Sequence, residues 1–172
     1  MVVCNKPGAR ALEVARRYGV ATELVEAPGL ERSAYDERLA GILISHGVEP
    51  GSGLVLLAGY MRLLTAGFVS RFSGRILNIH PSLLPSFPGL DAQRQALDHG
   101  AKVTGCTVHF VVPEVDAGPI VLQRAVDVAE GDSVESLSAR ILEQEHAIYP
   151  LAVKLFVEGK LSIMGRKVTI AP

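Results

Sequence analysis

Two polar side chains stand two residues apart in the run Arg75-Ile76-Leu77-Asn78-Ile79-His80. Alternate residues of an extended strand share a face, so the amide of Asn78 and the imidazole of His80 point the same way. A carboxylate, Asp116, lies in the turn-like stretch Val115-Asp116-Ala117-Gly118-Pro119. An amide, an imidazole and a carboxylate converging at the edge of a sheet suit acyl transfer. The amide holds a developing oxyanion, the imidazole moves protons, and the carboxylate orients the imidazole and favours its charged form. Each residue has an ordinary alternative. A histidine or asparagine at a strand end is commonly a hydrogen-bonded structural group, and an Asp ahead of Ala-Gly-Pro is a common turn former. Spacing alone leaves that choice open.

Other candidates are weaker. His46 falls on a helix face, His99 near a helix C-terminus, and His109 on a strand; His146 in Gln144-Glu145-His146 fits a solvated helical face. Gly51-Ser52-Gly53 precedes a strand, whereas a phosphate loop follows a strand and opens a helix, so it reads as a turn. Gly8 does open a helix, but a single glycine beside Pro7 is little to build on.

The pattern around these residues alternates strand and helix. Val2 to Cys4 ends a short strand, a helix begins near Pro7 and stops at Gly19, and Thr22 to Ala27 is a second strand followed by a turn at Pro28-Gly29. Ser33 and Asp36 resemble a capping box ahead of a helix whose apolar face carries Tyr35, Leu39, Ile42, Leu43 and His46. Gly53 to Ala58 is a continuous apolar run, the pattern of a central strand covered on both faces. Thr65 caps a short helix to Phe72, Arg75 to Ile79 is a strand, and Asp91 to His99 is a helix beyond a proline-rich loop. Lys102 to Val112 and Ile120 to Val128 read as an antiparallel pair. Ser133 opens a long helix that Pro150 is expected to kink or divide. A loosely held hairpin from Leu161 to Ile170, turning near Gly165, closes the chain. The expectation is an α/β, doubly wound, Rossmann-like and mostly parallel sheet with a mixed antiparallel edge and helices on both faces.

At 172 residues and 48% apolar content the chain has material for one core, so a single domain over 1–172 is expected. Lys plus Arg number 17 against 18 Asp plus Glu. That balance gives no electrostatic reason to expect nucleic acid or an anionic membrane, and fits a small neutral or mildly anionic ligand. Two cysteines, Cys4 and Cys106, make no disulfide framework and no Cys-x-x-Cys, so no metal is expected and the setting reads as reducing and cytoplasmic. The apolar runs fall short of the roughly 18 residues a membrane helix needs.

From Ile76 to Gly89 the chain reads Ile-Leu-Asn-Ile-His-Pro-Ser-Leu-Leu-Pro-Ser-Phe-Pro-Gly, which resembles the signature loop of the folate-dependent formyltransferases. Leu57-Ala58-Gly59-Tyr60-Met61-Arg62-Leu63-Leu64, Val115 to Ile120, and Gln144 to Pro150 narrow the likeness to the branch that formylates glycinamide ribonucleotide in purine synthesis. The likeness runs from about Val2 to Leu161. It implies transfer of the formyl group of 10-formyltetrahydrofolate, a co-substrate, to the amino group of glycinamide ribonucleotide, with Asn78, His80 and Asp116 as the catalytic trio. It implies a folate pocket at Met61, Arg62, Leu63, Leu64, Asn78, Val112, Pro113, Glu114, Val115 and Asp116, with Arg32 near the folate tail. Glu145 matches the residue that meets the ribonucleotide, and Leu84-Pro85 matches a cis peptide bond.

The family also opens with a strand and a Gly-rich Ser-Gly-x-Gly-Ser-Asn loop that holds the ribonucleotide phosphate. Met1 to Lys6 aligns with its second strand, so the expectation is a chain shorter at its N-terminus by roughly one βα unit. Two rival readings share the motifs: a formyltetrahydrofolate hydrolase, with water as nucleophile, and a folate-binding remnant that transfers nothing. A methionyl-tRNA formyltransferase is disfavoured by the absence of a basic surplus. Small-molecule substrates are the expected partners, with the protein a monomer or homodimer.

Overall fold

Along Val103–Phe110 every residue after the first is buried, which follows from apolar or β-branched side chains at nearly every position rather than at alternate ones. A computed structural model describes residues 1–27 and 29–172 as two compact units, Met1–Gly53 and Leu54–Pro172.

In the first unit, β1 (Val2–Cys4) pairs in parallel with β2 (Thr22–Leu24) through α1 (Arg10–Arg17). The turn expected at Pro28-Gly29 has Pro28 outside the described residues. Helix α2 (Arg32–Ser45) starts one residue before Ser33, on Glu31, with no side-chain cap. The Ser33–Asp36 capping box therefore does not form: both residues are already helical, and Asp36 is buried on the face that carries Tyr35, Leu39, Ala40 and Leu43. Packing of that face outweighs a cap worth about 1 kcal/mol. Tyr35 anchors it by donating to the Val25 carbonyl at 3.1 Å. His46, placed on the apolar face by its spacing, is instead the exposed C-cap residue.

The second unit holds β3 (Val55–Leu57), α3 (Ala66–Arg71), β4 (Ile76–His80), α4 (Ala92–Asp98), β5 (Val103–Phe110), β6 (Ile120–Asp127), α5 (Val134–Val157), β7 (Leu161–Met164) and β8 (Lys167–Ile170). Its sheet has the order β3-β4-β5-β6-β8-β7. Pairing is parallel between β3 and β4, antiparallel from β4 to β6, and antiparallel within the terminal hairpin, which meets β6 through one parallel rung, Ile120 with Lys167. The apolar run expected to be central forms the first strand of this sheet, paired among the described residues with β4 only, with Leu56 exposed. Hydrophobic content shows that a strand is wanted but does not count its neighbours.

Thr65 caps α3 as its sequence suggests, its hydroxyl accepting from the Phe68 N–H at 3.3 Å. Helix α5 covers one face of the sheet, setting Leu137, Ile141 and Ile148 against Leu77, Cys106, Val108 and Phe110. Each such side chain contributes roughly 1.5–3 kcal/mol on full burial. Pro150 does not divide this helix, which runs unbroken from Val134 to Val157. Buried Ile148 and Ala152 hold both flanks of the proline on the sheet. The Tyr149 hydroxyl reaches the carbonyls of Leu57 and Leu77 at 2.9 and 3.0 Å. Together these offset the ~3 kcal/mol a mid-helix proline costs. Among the described residues no helix is long and apolar enough to cross a membrane.

Candidate active site

The face of the sheet opposite α5 presents polar groups because β4 and β5 alternate. Cys106, Val108 and Phe110 turn toward the helix, so Thr107 and His109 turn away from it. Directly opposed residues of an antiparallel pair share a face. The register pairs Asn78 with His109, His80 with Thr107, and Thr107 in turn with Gln123 of β6. Two rungs successive on this face, with Ile79–Val108 between them pointing to the other, thus carry Asn78–His109 and His80–Thr107–Gln123.

The loop from Pro81 to Leu90 folds over this face. Its Leu84-Pro85 bond is cis, as the resemblance implied, and Phe87 takes the left-handed conformation with φ 54°. The carbonyl of Phe87 accepts from His80 Nε2 at 2.9 Å. Asp116, on the turn between β5 and β6, is also left-handed, with φ 51°. Such non-glycine outliers persist only where their surroundings hold them. Its carboxylate accepts from the Gly89 N–H at 2.8 Å and stands 3.5 Å from His80 Nδ1. Both ring nitrogens of His80 therefore face oxygens, an arrangement that an imidazolium satisfies on both sides.

His109 is the residue that local reading passed over. Its Nδ1 lies 3.0 Å from the Phe110 carbonyl and its Nε2 lies 3.2 Å from Asn78 Nδ2 and 3.7 Å from Asp116 Oδ1. A carbonyl at Nδ1 demands the proton there, which leaves neutral Nε2 to accept from the Asn78 amide. Burial, the largest influence, pushes His109 below the ordinary imidazole range; the Phe110 carbonyl and Asp116 pull the other way, and His80 adds to the lowering. The strand pattern already turned residues 107 and 109 away from Cys106. What it lacked was the register that sets His109 opposite Asn78.

The trio of Asn78, His80 and Asp116 is brought together. Val112, Pro113, Glu114 and Val115 lead into Asp116 on the same turn, with Pro113 to Val115 exposed. Met61 and Leu63, exposed, and Arg62 and Leu64, half-buried, follow β3. Arg32 belongs to the first unit, exposed at the start of α2. Glu145 shares the α5 stripe of Ile141 and Ile148, so it faces the sheet from the helix side; burial raises its carboxyl above the usual range. Among the described residues no hydrogen bond or ion pair joins it to the trio. No group of three His, Cys, Asp or Glu side chains among the described residues is arranged to hold a metal ion.

Chemically, a carbonyl laid beside Asn78 and His80 would meet an amide N–H and an imidazole, with a carboxylate behind the imidazole.

Residues 1–153 match the family described as Formyl transferase. The phosphoribosylglycinamide formyltransferase of Escherichia coli (strain K12) is 46% identical over 163 residues, covering 94% of this chain and 75% of that protein. The trifunctional purine biosynthetic protein adenosine-3 of Gallus gallus is 45% identical over 164 residues, 95% of this chain but 16% of that one. The crystal structure of glycinamide ribonucleotide transformylase 1 from Symbiobacterium toebii superposes with a TM-score of 0.94 at 55% identity, covering 99% of this chain and 79% of that chain.

Proposed function

The chain belongs to the formyl transferase family, and on that premise we propose that it transfers the formyl group of 10-formyltetrahydrofolate to the amino group of glycinamide ribonucleotide. The observation that carries the proposal is the pair of rungs setting Asn78 and His80 side by side, with Asp116 behind His80.

The amine nitrogen attacks the formyl carbon, the carbonyl π electrons move onto oxygen, the Asn78 N–H donates to the oxyanion, and the nearby positive charge of the His80 imidazolium, whose own N–H groups face Phe87 and Asp116, stabilises it. Collapse of the tetrahedral species breaks the bond from the formyl carbon to N10. That nitrogen takes up a proton, and the attacking nitrogen gives one up. Asp116 holds His80 in orientation, and His109 holds the Asn78 amide. The reaction needs no metal. Donors fixed before the reaction lower the barrier because they require no reorganisation as charge develops.

Met61 to Leu64 and Val112 to Asp116 are proposed to line the folate pocket, and Glu145 to meet the ribonucleotide. Both units are read as one formyltransferase domain, since the family match spans residues 1–153. Free Cys4 and Cys106 are in keeping with a cytoplasmic setting, with the protein a monomer or homodimer.

Product analysis with and without glycinamide ribonucleotide tests the proposal. Consumption of the formyl donor that depends on the amine, one formamide formed per donor consumed, is expected. Formate released at the same rate without the amine would replace it with the hydrolase reading. The Glu145 segment stands against that rival.

A further inference from the structure

Above the His80 rung lies a hydrogen-bonded cluster that the chemistry just described does not use. Thr107 is fully buried. Its hydroxyl donates to the Ser82 carbonyl at 2.7 Å and accepts from the Leu84 N–H at 3.1 Å. The Gln123 amide donates to that same hydroxyl and to the Leu84 carbonyl, both at 2.9 Å. Ser82, also fully buried, closes the inner turn of the loop by donating to the Ser86 carbonyl at 2.5 Å. One threonine hydroxyl thus uses its proton and both lone pairs, and it does so on the strand position directly opposite His80.

The segment held in this way continues to Phe87 and Gly89, whose carbonyl and N–H meet His80 Nε2 and the Asp116 carboxylate. The loop's contacts to the sheet and its contacts to the trio are therefore separated by only a few residues. A slip at Leu84 would move the Phe87 carbonyl relative to His80. Helix α4 steadies the far side of the loop: Gln95 donates to the carbonyls of Pro88 and Leu90, and the Phe87 ring packs on His99 at 5.5 Å between centroids.

We infer that Thr107 and Gln123 are positioning residues, a clamp fixing the Ser82–Leu84 stretch on the sheet so that Phe87 and Gly89 meet His80 and Asp116 in the reacting geometry. Neither touches the reacting atoms on this account; each acts through the loop. The inference rests on the formyl-transfer reading for its kinetic consequence, and on geometry alone for the contact it describes.

The test compares Thr107→Val, which keeps the shape and removes the hydroxyl, Thr107→Ser, which keeps the hydroxyl, and Gln123→Met at an exposed position. Displacement of a catalytic group by about 1 Å can cost on the order of 100-fold in rate. Thr107→Val is expected to lower kcat by about 10- to 100-fold with KM for the formyl donor nearly unchanged, Thr107→Ser to stay within about 3-fold of the parent, and Gln123→Met to fall in between. The ring nitrogen resonances of His80 in the ligand-free protein, read by NMR, should shift in Thr107→Val and Gln123→Met and return in Thr107→Ser. If Thr107→Val does not fold, Gln123→Met and Thr107→Ser decide the matter by the same two readouts. Unchanged kcat and unchanged His80 resonances in Gln123→Met, or a Thr107→Val protein that loses only thermal stability, would overturn the clamp. A parent enzyme without formyl transfer would overturn the functional reading instead, while the His80 resonances would still report on the clamp.

Discussion

Asn78 and His109 occupy one rung of the antiparallel β4–β5 ladder, with the amide nitrogen of the first 3.2 Å from Nε2 of the second. Since Nδ1 of His109 is committed to the Phe110 carbonyl, the amide of Asn78 is held by a neutral imidazole. Its second N–H is not used in that bond.

The first prediction concerns pH. His109 has a folded value below its ordinary 6.5. As pH falls past 6.5 the unfolded chain takes up a proton that the folded chain resists, so stability is full above that value and declines down to the lower folded one. Thermal unfolding followed from about pH 7.5 to 5 should show this decline in the parent and a flatter profile in His109→Gln. Identical slopes would mean that His109 is not the titrating group. The same protonation takes away the acceptor for Asn78, so transfer should weaken on the acid side together with stability.

Thr104 offers the opposite sign of effect. It is buried on the helix side of β5, and its hydroxyl has no hydrogen-bond partner among the described residues. An unpaired buried hydroxyl costs roughly 1–3 kcal/mol, and Val matches the shape without it. Thr104→Val should raise stability to urea by roughly 1 kcal/mol. A loss of stability would show that the hydroxyl is satisfied in solution.

At Gly118 the backbone runs so close to β5 that a Cβ would stand 1.7 Å from the Phe110 carbonyl oxygen. No side chain can bend away from a contact made by its own first carbon. Gly118→Ala should push the turn off the strand, move Asp116 two residues earlier, and cost more than about 3 kcal/mol. Denaturant unfolding and turnover measured together would check this, and an Ala variant with parental values of both would refute the close approach.

The start of α5 supplies a charge test. The Arg140 guanidinium, then Ser136, hold the Asp132 carboxyl well below the usual carboxylate range. A carboxylate depressed in the folded state stabilises above its ordinary value near 3.8 and loses that contribution as pH falls through the lower folded one. Arg140→Met should therefore unfold at lower temperature than the parent at neutral pH, and the two midpoints should converge in strong acid. A constant difference at every pH would assign the loss to packing.

How much of this was legible beforehand depended on the range of each signal. Asn78 and His80 lie on one strand, and period-2 alternation suffices to join them. Asp116 announced a turn by its Ala-Gly-Pro sequel, and its meeting with His80 came from the family likeness rather than from spacing. His109 was not legible, because its role depends on the register between strands about 30 residues apart, which no local pattern encodes. The same limit explains the other differences. Ser33 and Asp36 had the chemistry of a cap but were needed inside α2, burial on both sides of Pro150 carries α5 through it undivided, and the apolar Val55–Leu57 run did not reveal how many strands it pairs with in its sheet.

The central claim is that the Asn78 amide receives the developing negative charge. Removing one such donor typically costs about 100- to 1,000-fold in turnover. Single-turnover formyl transfer by Asn78→Ala, at saturating donor and glycinamide ribonucleotide, should be slower than the parent by about 100-fold or more. A variant that transfers the formyl group at the parental rate would contradict it.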